Sequence, residues 1–246
     1  MNCWICGNAA DSREHKIKKT ILTDIYGAGP YLGSRKLSHG KNGRITDLQG
    51  PNSRHIKYSA VICAACNNQR TQKHDQAFEH FARYCLKNDE RLLREKVIDL
   101  GDVFGVRAAS SSTDMYRYFA KHLGCDLAES GFVVPADLVR LVTASNSTSK
   151  LRLSFALDQF PLGIPFGLGK TAGIGPLITT QRNLVTKTEH HYIWSYHFGI
   201  MRICYWYACV PDPTLGKPWS SETTLLALGS VTPHNLPQDA THLTIA

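Results

Sequence analysis

Residues 63–75, Cys63-Ala64-Ala65-Cys66-Asn67-Asn68-Gln69-Arg70-Thr71-Gln72-Lys73-His74-Asp75, decide the fold when set beside Cys3-Trp4-Ile5-Cys6-Gly7. Each Cys-x-x-Cys is a knuckle that offers two thiolates to one tetrahedral ion. Four thiolates with no open position describe a structural zinc site. The 56 residues between the pairs exceed the span of a compact finger. Closure on Cys3, Cys6, Cys63 and Cys66 is therefore expected to staple a whole subdomain and to couple its folding to the metal. The other cysteines, Cys85, Cys125, Cys204 and Cys209, do not fall at ligand spacing and read as core residues.

Outward from the knuckles, helical periodicity begins after Cys66. Phe78, Phe81, Ala82 and Cys85 fall at i, i+3, i+4 and i+7, which makes one apolar stripe. Residues 16–26 read as a short helix and residues 54–62 as a strand. Lys87 to Lys96, Tyr116 to Leu123, and a segment entered at Pro135 and running through Val142 read as further helices. After a loop at 144–149 come strand-like runs at 151–155, 192–196 and 200–210, broken by glycine and proline. The expected class is α+β: a zinc-stapled module over 1–85, a helical segment over 86–143 and a β-rich C-terminal domain over 150–246.

With 246 residues, 43% hydrophobic and 20% charged, the chain has material for ordinary cores. Wholesale disorder and fibrous repeats are excluded. No run approaches the roughly 20 apolar residues of a membrane span. The N-terminus has no basic start followed by an apolar run, so no signal peptide is expected. A cytoplasmic location is expected, where thiols serve as metal ligands rather than disulfides. The net charge of +8 is unevenly placed. Residues 1–85 carry 13 Lys and Arg against 6 Asp and Glu, whereas residues 86–246 carry 15 against 14. A positive field concentrated in the zinc-bearing third suits a polyanion, of which nucleic acid is the commonest. A solvated basic face is the alternative.

Just after the first knuckle stands Ser12-Arg13-Glu14-His15-Lys16, and just after the second stand Asn67 and Arg70. This order (CxxCG, an acidic residue and His, then CxxCN and a basic residue) resembles the HNH, or His-Me finger, endonucleases in the branch held by two zinc knuckles. The resemblance covers residues 3–75. It implies a ββα module within 1–85 and a metal-dependent nuclease that hydrolyses DNA phosphodiester bonds. Zinc would be structural, and magnesium or manganese catalytic. His15 would be the general base, a role suited to a neutral imidazole. Glu14 and Asn67 would hold a single magnesium ion on the scissile phosphate through oxygen ligands. Neighbours in a regular strand point opposite ways, so Glu14 and His15 converge only at a strand end or bulge.

By the same resemblance Arg70 would hold phosphate. Exposed Lys16, Lys18 and Lys19, with His74, would add DNA contacts. Spacing puts Asn67, Arg70, Thr71 and His74 on one helical face. Two positions depart from the family. Lys18 stands where many relatives have proline, and the middle asparagine of the motif has two candidates, Asn52 and Asn42. Double-strand cutting by a one-site enzyme points to a homodimer. The alternative function is a zinc-knuckle protein that grips nucleic acid without cutting it.

Three other features carry less. Gly167-Leu168-Gly169-Lys170-Thr171 lacks the first glycine of a phosphate-binding loop, since Ile stands at 164, and an NTPase is excluded. His190, His191 and His197 have no carboxylate-rich partner at ligand spacing and read as strand residues. Tyr205-Trp206-Tyr207, with Trp194 and Tyr196, reads as sheet core.

Overall fold

The computed structural model describes residues 1–33, 36–41, 44–144, 147–158, 171–181, 190–231 and 243–245. Among them are six α-helices: α1 (Lys19–Tyr26), α2 (Gln72–Lys87), α3 (Asp89–Glu95), α4 (Leu100–Phe104), α5 (Ala108–Glu129) and α6 (Ala136–Thr143). The strands are β1 (Leu37–Lys41), β2 (Arg44–Leu48), β3 (Val97–Asp99), β4 (Leu151–Leu157), β5 (Ala172–Ile174), β6 (Ile178–Gln181), β7 (His190–Phe198), β8 (Met201–Tyr207), β9 (Leu225–Ser230) and β10 (Leu243–Ile245). The class is mixed α+β.

Seven strands form the large sheet in the order β3-β9-β4-β8-β7-β5, with β6 also paired to β7. All pairings are antiparallel except β4 with β9. The β7–β8 hairpin turns on Gly199 at φ 54°, the first central position of a two-residue loop, where glycine alone is unstrained. Side chains alternate across the sheet. Phe155, Trp194, Tyr196 and Tyr205 meet Phe119 and His122 of α5 edge-on. On the other face Ala156, Cys204 and Trp206 pack with Leu215. A three-stranded sheet, β10-β1-β2, lies in the segment between the two knuckles and closes with the last strand of the chain.

Helix α5 is the hub. Its residues from Met115 to Leu127 are all buried, so no apolar stripe distinguishes one face. Only its middle, Tyr116 to Leu123, is legible as a helix from pattern. Phe78 of α2 stacks on Tyr118 with ring centroids 4.0 Å apart. At Gly124 the helix admits Trp4 from the first knuckle; a Cβ there would stand 2.6 Å from the indole. One continuous hydrophobic core joins Cys3 and Ile21 to Phe81, Phe119, Tyr205 and Leu228. The cysteine-knuckle, helical and β-rich stretches share it. No helix among the described residues is long and apolar enough to cross a membrane.

Several local expectations need correction. The helix predicted from residue 16 begins at Lys19, because residues 14–16 are held extended against the chain before Cys63. Lys16 N–H donates to Ile56 O at 2.9 Å and Tyr58 N–H to Glu14 O at 2.9 Å. The strand predicted over 54–62 is a 3₁₀ turn, Arg54–Ile56, followed by extended chain. Among the described residues that chain forms isolated bridges at His15↔Lys57 and Ser12↔Ile62 rather than a regular strand. Cys85, Cys125 and Cys204 are buried, whereas Cys209 lies past the end of β8 and is half-buried. The loop at 167–170 and Asn42 lie outside the described residues.

Candidate functional site

The four knuckle cysteines converge. Their sulfurs all lie within 4.8 Å of one another, with Cys6 and Cys63 at 3.6 Å. A tetrahedron with Zn–S near 2.3 Å has S···S edges of about 3.8 Å, so the donor set fits a zinc-sized ion. The backbone aims the sulfurs. Cys66 N–H donates to Cys63 Sγ at 3.4 Å, and Asp11 takes the Ala64 N–H at 2.7 Å. The Asn8 backbone draws the Cys6 thiol down to about 7, toward the thiolate a metal needs. Burial pushes Cys3 and Cys66 up. A cation among the four sulfurs offsets that penalty.

Past the second knuckle the chain makes a π-helical turn, Cys66–Arg70. Thr71 N–H reaches back five residues to Cys66 O at 3.2 Å, and its Oγ1 donates to Cys66 O and Asn67 O. The extra residue in this turn shifts the helical register. Asn67, Thr71 and His74 are buried while Arg70 is exposed, so the four do not share one face. Asn67 Nδ2 donates to Ser12 Oγ at 3.0 Å and ties the knuckle to the strand that carries His15.

On that strand Glu14 turns inward. Its Oε1 accepts the N–H of His15 and the Lys18 ammonium, both at 3.0 Å, and its Oε2 takes Lys121 at 2.5 Å. Asp75 of α2 closes the ring, 2.9 Å from Lys18 and 3.0 Å from Lys121. Two carboxylates thus face two ammoniums in the interior. Burial alone would raise the Glu14 pKa, but Lys121 and Lys18 overcome it and hold the carboxyl well below its usual range. Burial opposes the charge on Lys18 too, and Glu14 and Asp75 outweigh it. Breaking such a pair from one side costs about 3–5 kcal/mol, whereas removing an acid and a base together costs far less.

His15 is half-buried at the edge of this cluster. Its Nε2 is enclosed and has no hydrogen-bond partner among the described residues. Burial lowers its pKa to about 4. Glu14 and a hydrogen bond from the ring to Asn52 work the other way, while Lys57 and Lys18 add to the fall. Asn52, one of the two candidate middle asparagines, also lines a cleft of about 600 Å³ with Lys19, Asp47, Arg54 and His55. Among the described residues neither Lys19 nor Arg54 is ion-paired, so the cleft keeps unneutralised positive charge.

The expected nucleic-acid contacts divide. Lys19 and Arg70 are exposed. Lys16 and Lys18, expected at the surface, are instead buried. Lys16 pairs with Glu129 and lies over the Tyr58 ring; Lys18 belongs to the cluster and lies over Tyr118. Each finds a carboxylate and an aromatic ring beside it. His74 is buried near Asp114, with Nε2 3.4 Å from it. Lys121 gives only a faint sequence signal, a lone cation in the run Tyr118-Phe119-Ala120-Lys121-His122-Leu123. Arg54 and His55 read from sequence only as strand residues.

Two buried histidines and the half-buried His15 make stability depend on pH. Burial lowers His15 to about 4 and both His74 and His122 to about 3, each from an ordinary 6.5. The unfolded chain protonates near 6.5, and the folded chain only well below. Their contribution is therefore complete above about pH 6.5 and is lost as pH falls toward 3–4, on the order of 1–3 kcal/mol for each ring. Thermal unfolding between pH 7 and pH 4 checks this. The midpoint should fall steadily, and a flat profile would contradict the three neutral rings.

Searches against protein-family models, curated proteins and solved structures find no match for this chain.

Proposed function

We propose that the chain is an HNH-type endonuclease that hydrolyses DNA phosphodiester bonds, with His15 as the general base. One observation carries the reading: a neutral His15 ring, its Nε2 without a hydrogen-bond partner among the described residues, hydrogen-bonded to Asn52, which lines a basic cleft. The local topology supports it. Two antiparallel segments around Ser12–Lys16 and Ile56–Ile62 lead into the knuckle and then α2, the order of a ββα module. A base must be unprotonated at working pH and within reach of the water it activates. His15 meets the first condition across the whole neutral range. Lys19, Arg54 and the exposed Arg70 would hold the phosphate backbone, and Asn52 would fix the ring. Zinc at the knuckles would keep the two segments and the helix in register. A cytoplasmic setting and a homodimer belong to the same reading.

The resemblance also implies a magnesium or manganese ion held by Glu14 and Asn67. A bound divalent ion supplies charge stabilisation at the phosphate and the departing oxygen. Glu14 does not fit it. Both its oxygens are held by ammoniums, whereas Asn67 gives only its Nδ2 to Ser12 and would bind a metal through Oδ1. No catalytic step is assigned to that ion. The occupied Glu14 also favours a second reading, a zinc-knuckle protein that binds nucleic acid without cutting it.

Nicking of supercoiled plasmid by the wild type, lost in His15→Ala, separates the two. Binding is tested apart from cutting. Lys19→Ala and Arg54→Ala should each weaken duplex affinity several-fold and lower the slope of log K against log salt by about one. Unchanged slopes in both variants would place the nucleic-acid surface elsewhere.

A further inference from the structure

We propose that Glu14 is a positioning residue for His15, and that the ammoniums of Lys18 and Lys121 take the place at its carboxylate where the resemblance puts a divalent ion. The inference rests on the reading of His15 as the base and revises how that base is supported.

Glu14 Oε1 touches the backbone of the residue it would serve, 3.0 Å from the His15 N–H. Its remaining capacity is taken by Lys18 at 3.0 Å and Lys121 at 2.5 Å, with Asp75 balancing the second positive charge. The carboxylate is 3% exposed and Lys121 fully enclosed. A magnesium ion keeps several waters and near-octahedral oxygen ligands at about 2.0–2.1 Å. To reach Glu14 it would have to expel an ammonium or add two buried charges to a neutral ring of four. Either is costly in the interior. The cation already there is supplied by the chain, one half of it from Lys18, the position at which the resemblance expects proline.

The consequence is a linkage of parts. Helix α5 holds Lys121, Lys121 holds Glu14, and Glu14 holds the His15 amide, which sets the origin of the imidazole. Asp75 brings α2 into the same ring. A displacement of about 1 Å at a catalytic group costs on the order of 10²-fold in rate, so this chain of contacts would be felt in the chemistry while touching neither water nor phosphate.

The test compares wild type, His15→Ala, the double variant Glu14→Ala with Lys121→Met, and the double variant Glu14→Gln with Lys121→Met. Each double variant removes one acid and one base, so the Lys18–Asp75 pair stays balanced. Zinc content and circular dichroism check each fold. Binding of Mn²⁺ to the free proteins, measured by electron paramagnetic resonance, should give the same isotherm in wild type and both double variants. Plasmid nicking should fall tenfold or more in the alanine variant, with the half-saturating magnesium concentration unchanged within twofold. The glutamine variant, whose side-chain oxygen can still accept the His15 N–H, should recover most of that loss.

A tenfold weaker Mn²⁺ isotherm, or a tenfold higher magnesium requirement, in either double variant would overturn the proposal and restore Glu14 as a metal ligand. So would equal losses in the alanine and glutamine variants. If neither double variant folds, amide hydrogen exchange on the wild type decides. A protected His15 N–H is expected, and exchange at the free-amide rate would refute the contact. Cutting that survives His15→Ala would instead sink the reading of His15 as the base, and with it the catalytic consequence drawn for Glu14; the Mn²⁺ and exchange results stand apart from that outcome.

Discussion

Replacing His15 by alanine is expected to lower the rate of supercoiled-plasmid nicking by about 10²–10⁴-fold, the range over which a positioned general base accelerates proton transfer. The expectation comes from three properties of one ring. Its Nε2 is enclosed without a hydrogen-bond partner among the described residues, so no protein group there competes for it. Its pKa of about 4 keeps it neutral at working pH, mainly through burial. Asn52, hydrogen-bonded to the ring, itself lines the cleft that holds Lys19 and Arg54. Alanine removes the acceptor and leaves the backbone contacts of residue 15 intact, because Glu14 holds the amide and not the ring. Zinc content and unfolding midpoint should therefore stay close to wild type while cutting is lost. The pH profile is a second reading of the same prediction: the acidic limb should fall near pH 4 rather than 6.5. A variant that nicks plasmid within a few-fold of wild type would remove His15 from the chemistry and raise the binding-only reading.

The range of each interaction governs how far it can be read from sequence. Cys3, Cys6, Cys63 and Cys66 are legible because a metal imposes residue type and spacing together, and the structure brings their sulfurs within 4.8 Å. The stripe Phe78, Phe81, Ala82, Cys85 is legible because α2 buries one face. Helix α5 is only partly legible, since a helix covered on all sides has no polar face to mark its period. The shared face of Asn67, Arg70, Thr71 and His74 fails for a local reason. One extra residue in the π-helical turn rotates the positions beyond it, and no spacing rule anticipates it. The fate of Lys16 and Lys18 is not legible at all. A lysine reads as solvent-facing until the carboxylates that draw it inward are known; Glu14 stands four residues from Lys18, but Glu129 and Asp75 lie far along the chain. Asn52 is one of two candidates in the sequence, and only the fold brings it to the His15 ring.

Removing zinc is expected to be the most disruptive single change to the fold. Chelation, or Cys63→Ser, should release the metal and unfold the N-terminal third, because structural zinc contributes apparent binding free energies of about 10–16 kcal/mol in zinc-finger peptides. That is comparable with or larger than the whole stability of a typical domain, about 5–15 kcal/mol. The loss should not stay local. Trp4, between the first two cysteines, packs directly on α5 at Gly124, and Asp11 is tied to the second knuckle through the Ala64 amide. Freed thiols 3.6 Å apart would have to protonate or separate, and either motion disturbs the strand that carries Glu14 and His15. Metal release measured with a chromogenic chelator should therefore run in step with loss of far-ultraviolet dichroism and a change in tryptophan emission. Cys209→Ala is the contrasting control, since that cysteine is half-buried and lies outside the cluster; it should keep one equivalent of zinc and a near-native midpoint. If Cys63→Ser keeps its metal and unfolds like wild type, the four sulfurs do not form the staple, and the ordering of the His15 strand must come from the buried ring of Glu14, Lys18, Asp75 and Lys121 alone.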